Sequence, residues 1–246
     1  MKKLLLVVAL FVPVILMAQD SETRKLSSFT EVHASQSIKV TLKKGSSNSA
    51  EVITNGDLED VITEVSGGTL KIEKDQNWNI GSGDRVRVIV TYTEELSELK
   101  ATSSSSILVE DRLKSDDLEL KASSSASIKV AADAADVEIA VSSSADIEAD
   151  INARKVDARV SSSGSLEMKG QCEDLKAAVS SSGDINAEDF NCKIADLATS
   201  SSGRIEVHVE EQMSASASSS GRITYGGQPK IKNMNSSSGG RIRSAD

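Results

Sequence analysis

The chain has 246 residues, a formal net charge of −9, only 2% aromatic residues, two cysteines and two histidines. The acidic balance and the lack of any basic run exclude nucleic acid and an anionic membrane surface as partners. The scarcity of large rings means that small and branched aliphatic side chains must build the core.

Met1-Lys2-Lys3 carries positive charge, an apolar stretch runs from Leu4 to Met17, and Ala18 precedes the polar run Gln19-Asp20-Ser21-Glu22. This is the three-part pattern of a secretory signal peptide over residues 1–18, with cleavage predicted after Ala18. The stretch is shorter than the roughly 20 residues a membrane span needs, so no transmembrane span is expected after cleavage. No cysteine follows the cleavage point, so no lipid anchor is expected there. Cleavage leaves 228 residues and discards Lys2 and Lys3, moving the charge from −9 to −11. The predicted location is outside the cytoplasm: periplasm, cell surface or extracellular space.

Residues 19–100 form a less regular β region. His33 to Val40 reads as an early coil, Val65 to Ile72 as a second with Gly67-Gly68 at its turn, and Arg85 to Tyr92 alternates as a strand. The spacings from Ile38 to Leu70 and on to Ile107 are 32 and 37 residues, which predicts insertions, with hairpins at 45–48 and 77–83. This region is expected to cap the amino end, because a bare sheet edge invites pairing with other chains. Trp78 falls in an exposed-looking loop, either as a ligand contact or as a cover for the solenoid end.

Residues 101–246 repeat. Serine runs are each closed by an aliphatic residue: Ile107, Ile128, Ile147, Leu166, Ile185, Ile205, Ile223 and Ile242, separated by 21, 19, 19, 19, 20, 18 and 19. A period near nineteen marks one supersecondary unit repeated. Before each run the apolar residues alternate, as in Val137, Ile139, Val141 and in Val156, Ala158, Val160. After it, Ile128 and Val130, or Leu166 and Met168, resume the alternation, while Lys129, Glu148, Glu167, Asn186 and Glu206 face water. Alternation of period two means strands with one buried face. Such short strands bury that face only by stacking, each on its copy about 4.8 Å away. No leucine-rich consensus, 3.6-residue period or 40-residue blade is present. The expected fold is all-β: a right-handed parallel β-helix, or β-solenoid, of about eight serine-marked coils after the less regular amino-terminal β region, the hand following the usual crossover preference.

Continuing the alternation through the corner points the second serine and the fourth residue inward. The fourth positions read Ser105, Ala126, Ala145, Gly164, Gly183, Gly203, Gly221 and Gly239, all small. Glycine there would permit positive φ, and the serine hydroxyls would bond the turn backbone and the next coil. The last coil ends at Arg241-Ile242-Arg243 without a capping segment, guarded by charge or by another subunit, so end-to-end self-association is a candidate.

Chemistry-bearing residues are sparse. His33 and His208 find no serine and acid at recognisable spacing, so no triad is expected. Two histidines and two distant cysteines show no metal-ligand spacing, and neither metal nor cofactor is expected. Cys172 lies eight residues before Ser180 and Cys192 eight before Ser200, so they occupy equivalent places in adjacent coils. Stacked copies about 4.8 Å apart suit a disulfide, which export would favour; a reduced stack is the alternative. Asp146, Asp184, Arg204 and Arg222 share one outward position. Asp184, Arg204 and Arg222 read either as a solvated ladder of alternating charge or as contacts to an anionic or hydroxyl-rich glycan.

The opening FTEVHASQSIKVTLKKG, the VSGGTLKIE segment and RVRVIVTYTEELSELKATSSSSI resemble, in order, the bacterial head GIN domain family of Bacteroidetes, also called autotransporter adhesin and formerly a domain of unknown function. Gly183-Asp184-Ile185-Asn186 matches the motif that names it. Most other coils carry Glu, Lys or Thr for that asparagine, so it is no shared ligand. The resemblance covers nearly the whole mature chain and implies a secreted β-helical architecture. The resulting expectation is a secreted, non-catalytic envelope or surface module, adhesin-like or structural, that meets a glycan or an envelope protein. The rival is a carbohydrate-active enzyme, a polysaccharide lyase or hydrolase on a β-helix.

Overall fold

A computed structural model describes residues 20–75 and 85–245. Apart from a 3-10 turn at Leu58–Asp60, every regular element described is a strand, and no helix there is long and apolar enough to cross a membrane. The predicted signal segment, Ala18, Trp78 and the hairpin expected at 77–83 lie outside the described residues.

The first seven strands are β1 (Asp20–Lys25), β2 (Glu31–Ala34), β3 (Lys39–Lys44), β4 (Ser49–Thr54), β5 (Val61–Ser66), β6 (Thr69–Lys74) and β7 (Val86–Tyr92). β2 and β3 make one coil. β6 and β7 stack in parallel on its outer side, against β2 and β3 respectively. Beyond them the parallel order ends: β5 folds back antiparallel on β6, β4 runs antiparallel on β7, and β1 antiparallel on β4. The Arg24 guanidinium ties β1 to this edge through the carbonyls of Val61 and Leu58 and the Thr63 hydroxyl. Antiparallel strands thus cover the amino-terminal edge.

Three expectations for this region are corrected. The stretch from Val65 to Ile72 straddles a hairpin through Gly67-Gly68 rather than forming a coil of its own. No hairpin forms at 45–48, because β7 lies between β3 and β4 and pairs with both. Leu70 stacks on Val32, and it is Val40 that aligns with Ile107, so the spacings from Ile38 compared inequivalent positions. Non-local strand exchange of this kind leaves no periodic trace in the sequence.

The chain then crosses to the other side of the first coil and climbs in order: β8 (Glu98–Ala101), β9 (Ser106–Val109), β10 (Leu113–Ala122), β11 (Ser127–Val141), β12 (Asp146–Val160), β13 (Ser165–Val179), β14 (Asp184–Thr199), β15 (Arg204–Ala217), β16 (Arg222–Gly226), β17 (Ile231–Ser236) and β18 (Arg241–Ser244). The fold is a β-solenoid of about eight stacked parallel turns. Ile107, Ile128, Ile147, Leu166, Ile185, Ile205, Ile223 and Ile242 are register partners in one continuous column. All but the last are buried, each contributing about 1.5–3 kcal/mol of burial energy. Twenty-residue coils are absorbed by a bulge, as between Glu167 and Gly170 where Phe190 enters the core.

The serine corner differs from its expected form. The second and third residues of each run are exposed and left-handed: Ser143 and Ser144 have φ 54° and 59°, Ser181 and Ser182 51° and 61°. The second serine therefore does not point inward, and the positive φ falls on serines, not on the fourth-position glycines Gly164, Gly183, Gly203 and Gly221. The last coil is shifted by one: Ser238 and Gly239 take the left-handed pair and Gly240 the fourth place. Gln36 and Ser37 form the same corner in the first coil. Each left-handed L-residue costs roughly 1–2 kcal/mol. A backbone ladder offsets that cost: the Ser144 N–H donates to the Ser162 carbonyl at 3.1 Å, and Ser163 to Ser181 at 3.1 Å. Backbone mainly joins corner to corner; the expected hydroxyl bonds form at Ser105, whose hydroxyl accepts from the Thr102 N–H at 3.1 Å and donates to the Ala34 carbonyl of the adjoining coil at 2.9 Å. Serine suits the site because it lacks the β-branching that makes positive φ worst.

At the carboxyl end the inward positions become exposed and one of them carries a charge. Register places Lys232 over Met213 and Met234 over Ala215, and the Lys232 ammonium lies 5.3 Å from the Tyr225 ring centroid. An inward-pointing charge on a terminal strand blunts an open sheet edge.

Candidate binding surface

Because both exposed corner residues are serines in most coils, their side chains form a hydroxyl-bearing ridge along the solenoid. A groove runs beside it on the face that precedes the corner. Its walls include Ser123, Ser142, Ser161 and Ser180, the first serines of successive runs. Its floor is the outward column Lys100, Lys121, Ala140, Arg159, Ala178 and Ala198, each residue in register with the next. Alanines open the groove, and the cations Lys100, Lys121 and Arg159 lie among its first four rungs. Lys121 lies 2.5 Å from Glu119, and Arg159 lies 2.6 Å from Glu138 and 2.8 Å from Asp157.

On the other flank of the ridge, the fifth position carries Asp146, Ser165, Asp184, Arg204, Arg222 and Arg241 on successive rungs. Asp184 and Arg204 pair at 3.4 Å. Arg222 and Arg241 stack beyond them, and neither has an ion-pair partner among the described residues. Three guanidinium groups on consecutive rungs repel one another, a cost that a bound anion relieves.

Cys172 and Cys192 are register partners, both buried thiols, with their sulfurs 3.3 Å apart. The neighbouring thiol and burial together push the Cys192 pKa up. His208 stacks between Asn191 and Gly226. His33 meets Glu98 at 3.1 Å, with Glu31 beside it. Sequence reasoning missed this grouping, because Glu98 lies 65 residues from His33. The only local signal was Glu31-x-His33 on one strand face. Among the described residues no serine hydroxyl is hydrogen-bonded to either histidine.

The family model described as "Putative auto-transporter adhesin, head GIN domain" matches residues 28–150 and 134–229. The chain belongs to the head GIN domain family. Solved structures share the fold across nearly the full length. A protein from Parabacteroides distasonis described as a "putative lipid binding protein" is 22% identical, with 93% of this chain and 97% of that chain covered and a TM-score of 0.81. A "putative adhesin" from Parabacteroides merdae is 15% identical, with 93% and 96% covered and a TM-score of 0.82. A second Parabacteroides distasonis protein, also described as a "putative adhesin", is 19% identical, with 93% and 97% covered and a TM-score of 0.82. At these identities the likeness to these structures shows the fold alone. No curated protein matches the chain.

Proposed function

We propose that this head GIN chain is an exported, non-catalytic, adhesin-like module that holds an acid-bearing glycan along its serine ridge. The observation that carries this reading is the stack of Arg204, Arg222 and Arg241, continuous with a hydroxyl-bearing ridge on a rigid backbone. Exposed hydroxyls exchange hydrogen bonds with sugar hydroxyls, while guanidinium groups grip carboxylate or sulfate in bidentate fashion. The groove across the ridge gives an extended polymer a second wall. The edge of β17 and β18, unpaired among the described residues, is where a second copy would add, and Lys232 opposes that addition.

The test is binding of the mature chain to an array of uronate-bearing, sulfated and neutral glycans. Acidic glycans are expected to bind, with at least about a tenfold loss on Arg222→Glu, since a reversed charge replaces a charge-assisted hydrogen bond. Equal binding by the variant, or binding only to neutral glycans, rejects the reading. Release of reducing ends or unsaturated products from any array member would instead establish a lyase or hydrolase.

A further inference from the structure

One outward column runs through Thr69, Glu31, Glu98, Glu119, Glu138 and Asp157 on successive rungs. Like charges facing each other across paired strands destabilise a sheet, so each acidic neighbour needs a cation nearby. Lys121 serves Glu98 and Glu119, at 3.6 Å and 2.5 Å. Arg159 serves Glu138 and Asp157, at 2.6 Å and 2.8 Å. Between Glu31 and Glu98 the intervening group is neither lysine nor arginine but His33, whose Nε2 lies 3.1 Å from Glu98 Oε1. One ligand atom from each of Glu31, His33 and Glu98 lies within 4.8 Å of the others, and all three residues are half-buried. The Thr69 hydroxyl donates to Glu31 Oε2 at 2.5 Å and fixes that carboxylate's orientation.

We infer that Glu31, His33 and Glu98 form a binding site for a divalent cation of the zinc class, which staples β2 to β8. Zinc accepts imidazole nitrogen and carboxylate oxygen at about 2.0–2.2 Å, and three protein ligands leave a fourth position for water. Tetrahedral ligands at such bond lengths sit about 3.3 Å apart, so no gap needs to close by more than about 1.5 Å, within reach of Glu rotamers. Thr69 plays the supporting part that orients a ligating carboxylate. Lys121 keeps its shorter contact, to Glu119, when Glu98 ligates. Lys71 and Lys100 flank His33 on the adjoining rungs, and their charge holds the expected affinity in the micromolar rather than nanomolar class. The location has a structural purpose. The seam between β2 and β8 is where the chain leaves sequence order, and a metal there would join residues 31–33 to residue 98 across the exchange.

The test is calorimetric titration of the mature chain with zinc chloride in chelator-free buffer, paired with cobalt(II) absorption in the visible range. One site per chain is expected, with a cobalt band typical of tetrahedral nitrogen and oxygen ligation. His33→Ala and Glu98→Gln are each expected to weaken zinc by about tenfold or more. His208→Ala and the double variant Cys172→Ser/Cys192→Ser should bind as the unaltered chain does. Zinc should raise the melting temperature of the unaltered chain but not of His33→Ala. Absence of one-site binding, retention of full affinity in His33→Ala, or its loss in His208→Ala or the cysteine variant would each overturn the inference.

Discussion

Gly170 and Gly183 make a paired experiment on what holds the coils in register. Gly170 has φ +109°, and a Cβ placed there would sit 2.2 Å from the Ile151 carbonyl oxygen and 2.9 Å from its carbon. Both atoms belong to the backbone of the neighbouring rung, which cannot yield without breaking ladder hydrogen bonds. Positive φ costs an alanine roughly 1–2 kcal/mol, and relieving a backbone contact that short adds a comparable amount. Gly170→Ala should therefore lose about 2–4 kcal/mol, a fall in Tm of roughly 5–15 °C for a chain of this size. Gly183 has no positive φ, and its added Cβ would lie 2.9 Å from a Val160 methyl and 3.2 Å from backbone. Ala126 and Ala145 already occupy that column, so Gly183→Ala should cost no more than about 1 kcal/mol. Thermal melts followed by circular dichroism separate the two variants. Hydrogen exchange should localise the damage in Gly170→Ala to the coils containing Ile151 and Phe190. Equal losses, or a loss below about 1 kcal/mol for Gly170→Ala, would refute the assignment of that rung as sterically fixed.

Thr199 sits in the inward column of Val160 and Val179 with a buried hydroxyl that has no hydrogen-bond partner among the described residues. Thr199→Val should stabilise by about 1–2 kcal/mol, since the stranded polar atom is removed at constant shape; a Tm that stays level or falls contradicts this. Glu94 accepts hydrogen bonds from Ser28, Asn48 and Thr93, which together hold its pKa at about 2, below the ordinary 4.5. A lowered folded-state pKa means its contribution is complete above about 4.5 and disappears as pH falls towards 2, so Glu94→Gln should flatten the acid limb of the Tm–pH curve over that window. An unchanged acid limb would remove Glu94 from the account. The exported protein should carry a Cys172–Cys192 bridge, because the two stacked sulfurs need little movement to bond. Mass spectrometry before and after reduction should differ by two hydrogens, and two free thiols in exported material would show a reduced stack.

The local pattern determined a great deal. A period near nineteen with alternating aliphatic residues can bury its faces only by parallel stacking, so the fold, the isoleucine column and the placement of Cys172 over Cys192 followed from spacing alone. The fifth-position row through Asp184, Arg204 and Arg222 followed in the same way, because equal offsets in equal repeats meet one rung apart. What tertiary structure decided was whatever depends on backbone dihedrals or on contacts between distant segments. Serine does not announce φ, so the outward, left-handed corner and its backbone ladder were invisible in the alternation. Likewise β6 and β7 slip outside β2 and β3, and β8 arrives from 65 residues away to set Glu98 beside His33. Such pairings are chosen by the closure of the sheet edge as a whole, and no window of neighbouring residues records that choice.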